Sequence, residues 1–199
     1  MKRLAMVLLL VFLIGVASGC VGSNGGTTST KSSPAGTTTT TASVAKFVEV
    51  KGYRIYLDRI HFYMYGMKTC PHCRRMHELI PEKFGSEALT YYELVDNETN
   101  QKLLGQIARL TGITGVPAIA ITYNGTLYAV IEGEFNVSAT PEIIAAAMQN
   151  NGTLLFVGKT YLLPRKDEKS KLLINALYRL FVRHEPVDVQ KILSELNSS

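Results

Sequence analysis

The chain has 199 residues, 46% of them hydrophobic, and a formal net charge of +5, a length that fits one folded domain of roughly 100–200 residues. Three of the 21 basic residues (Lys2, Arg3 and Lys31) and none of the 16 acidic ones precede Val44. The remainder is therefore close to neutral and gives no electrostatic reason to expect nucleic-acid binding, while three cysteines are too few for a disulfide-stapled scaffold that keeps one residue apart, or for a four-ligand zinc site.

The amino end reads as an address. Met1-Lys2-Arg3 is a basic head, and Leu4 to Ala17 is an uncharged run of 14 residues. That run is shorter than the ~20 residues a membrane-spanning helix needs. Ala17-Ser18-Gly19 then supplies small residues before Cys20, so residues 1–19 are predicted to be a secretory signal peptide. A Cys after small residues resembles a lipoprotein processing site, with Cys20 lipidated; Ala17 departs from it, since bacterial sites usually have Leu there. A leader cleaved without lipid and an uncleaved anchor are the alternatives. Residues 20–43 form a linker: Ser and Thr supply 13 of the 21 residues from Ser23 to Ser43. Such a stretch cannot bury enough apolar surface to offset its chain entropy. Sequons at Asn97, Asn124, Asn136, Asn151 and Asn197 agree with an exported chain.

From Val44 onward, patterning predicts a folded domain over 44–152. Phe47 to Val50, Lys51-Gly52 and Tyr53 to Leu57 read as a hairpin, and Ile60 to Tyr65 as a strand. After a loop over Gly66 to Thr69, Pro71 opens a helix, where its missing N–H costs nothing. Pro81 is expected to kink that helix and Gly85 to end it. Leu89 to Val95 is a strand, and Leu103, Leu104, Ile107 and Leu110 mark a helix closed by Gly112. Ala118 to Tyr123 and Thr126 to Glu132 flank Asn124-Gly125, a strong hairpin signal. Thr140-Pro141 is expected to cap and start a helix through Met148. Beyond it, residues 153–199 read as a mainly helical extension. Thr153 to Val157 is a candidate strand there. Leu172 to Phe181 and Val189 to Leu196 form two amphipathic helices expected to pack on the core.

The order from Ile60 is strand, helix, strand, helix, strand, strand, helix. Cys70-Pro71-His72-Cys73 follows the first of these strands and opens its helix, and Val116-Pro117 precedes the third. Over roughly Ile60 to Gln149 the chain resembles the thioredoxin-like superfamily. The resemblance implies an α/β, thioredoxin-like fold with a βαβαββα core and a mixed sheet, here with an N-terminal β-hairpin and a C-terminal helical extension. It also implies that Pro117 is cis and faces the cysteine pair. The alternative is a simple turn proline. Cys-Pro-His-Cys is the active-site sequence of DsbA-type oxidases, yet only 44 positions separate Cys73 from Pro117, too few for the helical domain those enzymes insert. Met64 stands where thioredoxins carry a buried acid. Glu132-Gly133-Glu134-Phe135 is not the Gly-Gly-Asp pattern with which glutaredoxins hold glutathione.

A thiol attacks as thiolate, and the unpaired N–H groups and positive dipole end of a helix N-terminus favour that anion. Cys70 is therefore the expected nucleophile and Cys73 the resolving thiol. Pro71, His72, Val116 and Pro117 support them. The His72 ring is expected beside the Cys70 sulfur, the alternative being a solvated ring. A cis Pro117 would expose the Val116 backbone to a substrate chain. Lys68, Arg74 and Arg75 either add positive potential or form a solvated basic face, and His61 and His77 read as ordinary strand and helix residues. The expected function is thiol–disulfide exchange with exported proteins at the extracytoplasmic face of a membrane. It requires no cofactor beyond the Cys70–Cys73 disulfide and no metal, and uses a membrane redox partner to recycle the pair. The competing reading is an extracytoplasmic copper chaperone, using the reduced pair with His72 or His77 to hold a soft ion. Cys20→Ser is expected to abolish partition of the mature protein into a detergent phase; unchanged partition would remove the lipid anchor.

Overall fold

Alternation of apolar residues, interrupted by Gly and Pro at the turns, divides this chain into short strands and helices, and a computed structural model describes residues 46–198. The predicted signal peptide, Cys20 and the linker over 20–43 lie outside the described residues. β1 (Phe47–Val50) and β2 (Tyr53–Tyr56) form a separate two-stranded hairpin. Next come β3 (Ile60–Gly66), α1 (Pro71–Phe84), β4 (Leu89–Glu93), α2 (Glu98–Thr111), β5 (Ala118–Tyr123), β6 (Thr126–Glu132) and α3 (Thr140–Gln149). The chain ends in β7 (Gly152–Val157), β8 (Lys159–Pro164), α4 (Glu168–Phe181) and α5 (Val189–Asn197). Among the described residues, no helix is long and apolar enough to cross a membrane.

The class is α/β with a mixed sheet of six strands in the order β4-β3-β5-β6-β7-β8. β3 runs parallel to β4 and β6 parallel to β7, and the other neighbours are antiparallel. Successive side chains of a strand point to opposite faces, so each face has its own core. Tyr65, Ala118, Ala120 and Val130 meet Ile107 of α2, Leu177 and Phe181 of α4, and Ile192 of α5. On the other face Phe62, Met64, Ile119 and Ile121 meet Met76 and Ile80 of α1, Ile144 of α3 and Ile55 of β2. A β-bulge keeps both faces in register. Ile121 pairs with Ala129 and Thr122 with Leu127, leaving Tyr128 over. The extra residue returns Leu127 and Val130 to one core, and Ala129 and Ile131 to the other.

Several differences from the sequence reading have local causes. β4 stops at Glu93, short of Val95, because the Glu93 carboxylate accepts the Val95 N–H at 2.9 Å. α1 holds Pro81 inside it and, as expected, ends at Gly85. Thr140 does not cap α3; it lies inside the first turn, and its hydroxyl donates to the Val137 carbonyl at 2.7 Å. The asparagines of four sequons do structural work. Asn97 and Asn136 cap α2 and the turn over 137–139, and Asn124 and Asn151 hold positive φ.

The candidate strand after Asn151 is present as β7, and β8, absent from the sequence reading, returns beside it through Gly158 at φ 65. β8 is an edge strand that begins on Lys159 and ends on Pro164, residues that discourage further pairing. The two terminal helices pack on the core as expected, and buried hydroxyls fix α4 there. Tyr65 donates to the Leu180 carbonyl at 2.7 Å and Tyr92 to that of Phe181 at 2.9 Å. Both satisfy carbonyls in the last turn of a helix, which have no partner of their own within it. Tyr65→Phe leaves the Leu180 carbonyl without its donor and is expected to cost about 1–2 kcal/mol in denaturant unfolding. A midpoint equal to that of the wild type would mean that another donor takes its place.

Candidate functional site

The site forms where β3 gives way to α1. Cys70 has extended backbone geometry (φ −82°, ψ 122°) and is the N-cap of α1, with Pro71 at the first helical position. Its N–H donates to the Met67 carbonyl at 2.9 Å, which closes the preceding turn. A cap side chain ordinarily accepts a hydrogen bond from an N–H of the first turn. Here the Cys70 Sγ takes that role, accepting from the Cys73 N–H at 3.4 Å. The Cys70 thiol also reaches the Val116 carbonyl, at 3.7 Å.

The two thiols are free and differ in environment: Cys70 is partly exposed and Cys73 buried. Burial pushes the Cys73 thiol up to about 12, and its hydrogen bond to Cys70 pushes the same way. Partial burial also acts to raise Cys70, but the opposing contributions win. The Cys73 thiol, the backbone N–H groups of Cys73 and His72, and the Arg74 charge together hold Cys70 below the ordinary thiol value. Arg74 is anchored for this by donating to the carbonyls of Lys68 and Thr69 at 3.3 and 3.4 Å. Gly66, the last residue of β3, lies flush against Cys73. A Cβ there would sit 3.2 Å from the Cys73 Sγ and 3.0 Å from the Tyr91 ring.

The Val116–Pro117 bond is cis, and the sequence-predicted residues Cys70, Pro71, Cys73, Val116 and Pro117 lie together. What holds the 114–117 loop is Glu132 at the end of β6. Its carboxylate accepts the Thr114 N–H at 2.8 Å, the Thr114 hydroxyl at 3.2 Å and the Gly115 N–H at 2.6 Å. These donors hold the Glu132 carboxyl below its usual range; the Thr114 backbone bond contributes most. The Gly133 N–H donates to the Pro117 carbonyl at 2.7 Å.

His72 behaves differently from expectation. Its backbone N–H favours the Cys70 anion, but its ring does not turn to the sulfur. Nδ1 instead lies 2.8 Å from Glu134 Oε2, and Arg75 donates to Oε1 of the same carboxylate at 3.1 Å. Of the three cationic side chains considered, Arg74 contributes positive potential at Cys70, and Arg75 is committed to Glu134. The Lys68 backbone N–H donates to the Glu93 carboxylate at 3.1 Å. His61 meets the Thr90 hydroxyl at 2.8 Å, and the His77 ring packs edge-on against Tyr91. Among the described residues, no three His, Cys, Asp or Glu side chains gather in a group that could hold a metal ion.

Two grooves border residues next to the cysteine pair, one along Met67 and Val116 and the other along His72. A mainly apolar groove of about 970 Å³ is lined by Met67, Leu94, Leu104, Ile113 and Val116. A second, of about 940 Å³, passes His72, Leu79, Glu134 and Phe135. No protein-family model matches the chain, and no curated protein matches it.

A thiol that ionises early, within hydrogen-bond reach of a backbone carbonyl and beside a buried thiol that ionises late, is suited to nucleophilic attack followed by intramolecular displacement. Alkylation by iodoacetamide, located by mass spectrometry, is expected to modify Cys70 at neutral pH faster than an ordinary thiol. The rate should level off above the lowered value, because only the thiolate reacts. Cys73 should stay unmodified until the solution nears pH 12. Equal labelling of both at neutral pH would contradict this asymmetry.

Proposed function

We propose that this chain is a protein thiol–disulfide oxidoreductase of thioredoxin-like fold, acting on exported proteins through Cys70 and Cys73. The observation that carries the reading is the Cys70 sulfur at the N-terminus of α1, capped by the Cys73 N–H at 3.4 Å, with the Cys73 thiol buried beneath. The fold supports it. β3 pairs parallel with β4 and antiparallel with β5, which pairs antiparallel with β6. α1 and α3 lie on one face and α2 on the other, in keeping with the resemblance. β7, β8, α4 and α5 are additions to that core.

The exchange runs as follows. With Cys70 and Cys73 joined, a substrate thiolate attacks the Cys70 sulfur. A mixed disulfide forms, and Cys73 leaves as a thiolate that takes up a proton. A second substrate thiolate then attacks the substrate sulfur of that mixed disulfide and releases the Cys70 thiolate. The substrate loses two electrons and two protons as its disulfide forms, and the Cys70–Cys73 pair gains them as two thiols. The reverse sequence reduces a substrate disulfide. The early ionisation of Cys70 makes it the better leaving group, and the Val116 backbone beside it offers a carbonyl to an extended substrate chain. The leader and Cys20 would keep the domain at the outer face of a membrane, where a membrane partner recycles the pair.

With Cys73→Ala, mixed disulfides with reduced, unfolded exported proteins are expected to accumulate through Cys70 and to disappear on adding dithiothreitol. Their absence, together with trapping by Cys70→Ala, would reverse the two roles; no trapping by either variant would overturn the reading. The equilibrium potential of the pair fixes the direction. A value near or above about −180 mV corresponds to an oxidase or isomerase, and one near about −270 mV to a reductant.

A further inference from the structure

Thiolate chemistry at Cys70 is governed by the groups that reach its sulfur, and two nitrogen-bearing side chains of its own helix, an imidazole and a guanidinium, make no hydrogen bond to it. His72 and Arg75 are respectively two and five residues beyond Cys70, inside the first turns of α1. The hydrogen-bond partners of the sulfur are the Cys73 N–H and the Val116 carbonyl. The imidazole and the guanidinium are both engaged by one carboxylate. His72 Nδ1 lies 2.8 Å from one Glu134 oxygen and Arg75 Nη1 3.1 Å from the other. The carboxylate is the more enclosed partner: its side chain is 26% exposed against 64% for His72 and 61% for Arg75.

Resting on the exchange function proposed above, we propose that Glu134 is a positioning residue. By engaging the His72 ring and Arg75, it withholds both from the Cys70 sulfur and thereby limits how strongly the thiolate is stabilised. Glu134 is set in place by the sheet. It follows Gly133, whose positive φ of 86° turns the chain out of β6 and whose N–H is bonded to the Pro117 carbonyl. The same register therefore fixes the 114–117 loop and the carboxylate. The other charged or titratable groups around the pair are Arg74, which already acts on Cys70, Glu93, which is occupied by the Lys68 and Val95 N–H groups and the Tyr91 hydroxyl, and Lys68, His77 and Glu78, which line a small pocket with Cys73. Glu82 and Lys83 of α1 border the groove that Glu134 shares. The Glu134 carboxyl is held below its usual range, first by the His72 bond and then by Arg75 against partial burial, in keeping with a carboxylate that keeps both partners.

Neutralising this carboxylate has two effects of one sign. The negative charge that engages the first turns of α1 is lost, and the imidazole and guanidinium it held are released to turn toward the sulfur. An opposite charge brought within a few ångströms stabilises an anion, so both effects favour the Cys70 thiolate and, with it, the dithiol form of the pair.

The test is the pH–rate profile of Cys70 alkylation in the reduced full-length protein. Glu134→Gln is expected to move the midpoint down by roughly one pH unit and to shift the redox equilibrium toward the dithiol. His72→Ala alone should move the midpoint by less than Glu134→Gln does. In Glu134→Gln/His72→Ala/Arg75→Ala, most of the downward move should vanish, because neither released group is there to act. A midpoint unmoved by Glu134→Gln overturns the proposal, as does a downward move that persists in full without His72 and Arg75, which would reflect charge removal alone. The profile is read without any substrate. Trapping by Cys73→Ala with an unmoved midpoint in Glu134→Gln therefore rejects the positioning role alone; a moved midpoint without trapping rejects the exchange function instead.

Discussion

The hydrogen bond from the Cys73 N–H to the Cys70 sulfur is the contact on which the site depends. It makes a thiol do what a Ser or Asp ordinarily does at a helix start, satisfying an N–H that has no intrahelical partner. The same geometry that begins α1 therefore favours a negative charge on its cap. Folding and reactivity draw on one interaction, and the position of the second cysteine follows from it. Three residues into the helix, Cys73 turns inward under the cap, where burial keeps its proton on.

The end of β6 organises the surroundings of this pair. Glu132 gathers the donors of Thr114 and Gly115, Gly133 holds the Pro117 carbonyl, and Glu134 takes His72 and Arg75. Three consecutive residues thus reach both the 114–117 loop and the first turns of α1. The bulge at Tyr128 bears on their placement, since a one-residue change of register in β6 exchanges its faces.

Much of this was legible in the sequence wherever the determining chemistry is local. Cys70-Pro71 reads as a helix start because Pro tolerates that position, and Asn124-Gly125 reads as a turn because both residues accept positive φ. The cis bond of Val116-Pro117, by contrast, is expected from the resemblance to a family and not from local chemistry. What stayed hidden depends on partners remote in sequence. Glu132 lies 18 residues from Thr114, and Glu134 lies 62 from His72. Neither carries a periodic or turn signal that points to its partner. The His72 ring was expected at the sulfur because only neighbours in sequence were in view, and the competing carboxylate arrives from another strand. β8 was missed for a related reason: an exposed edge strand bounded by Lys159 and Pro164 has little apolar alternation to reveal it.

The C-terminal elements are structural members rather than an appendage. β7 is the outer neighbour of β6, and α4 covers Leu127 and Val130 while receiving the hydroxyls of Tyr65 and Tyr92. A proteolytic nick near Asn151 that released the rest of the chain would leave β6 as a raw edge and strip the Tyr65 and Tyr92 hydroxyls of their carbonyl partners. The strand whose end holds the 114–117 loop and the start of α1 would then lose its outer neighbour. In this molecule the packed unit around the cysteine pair extends through the last helix.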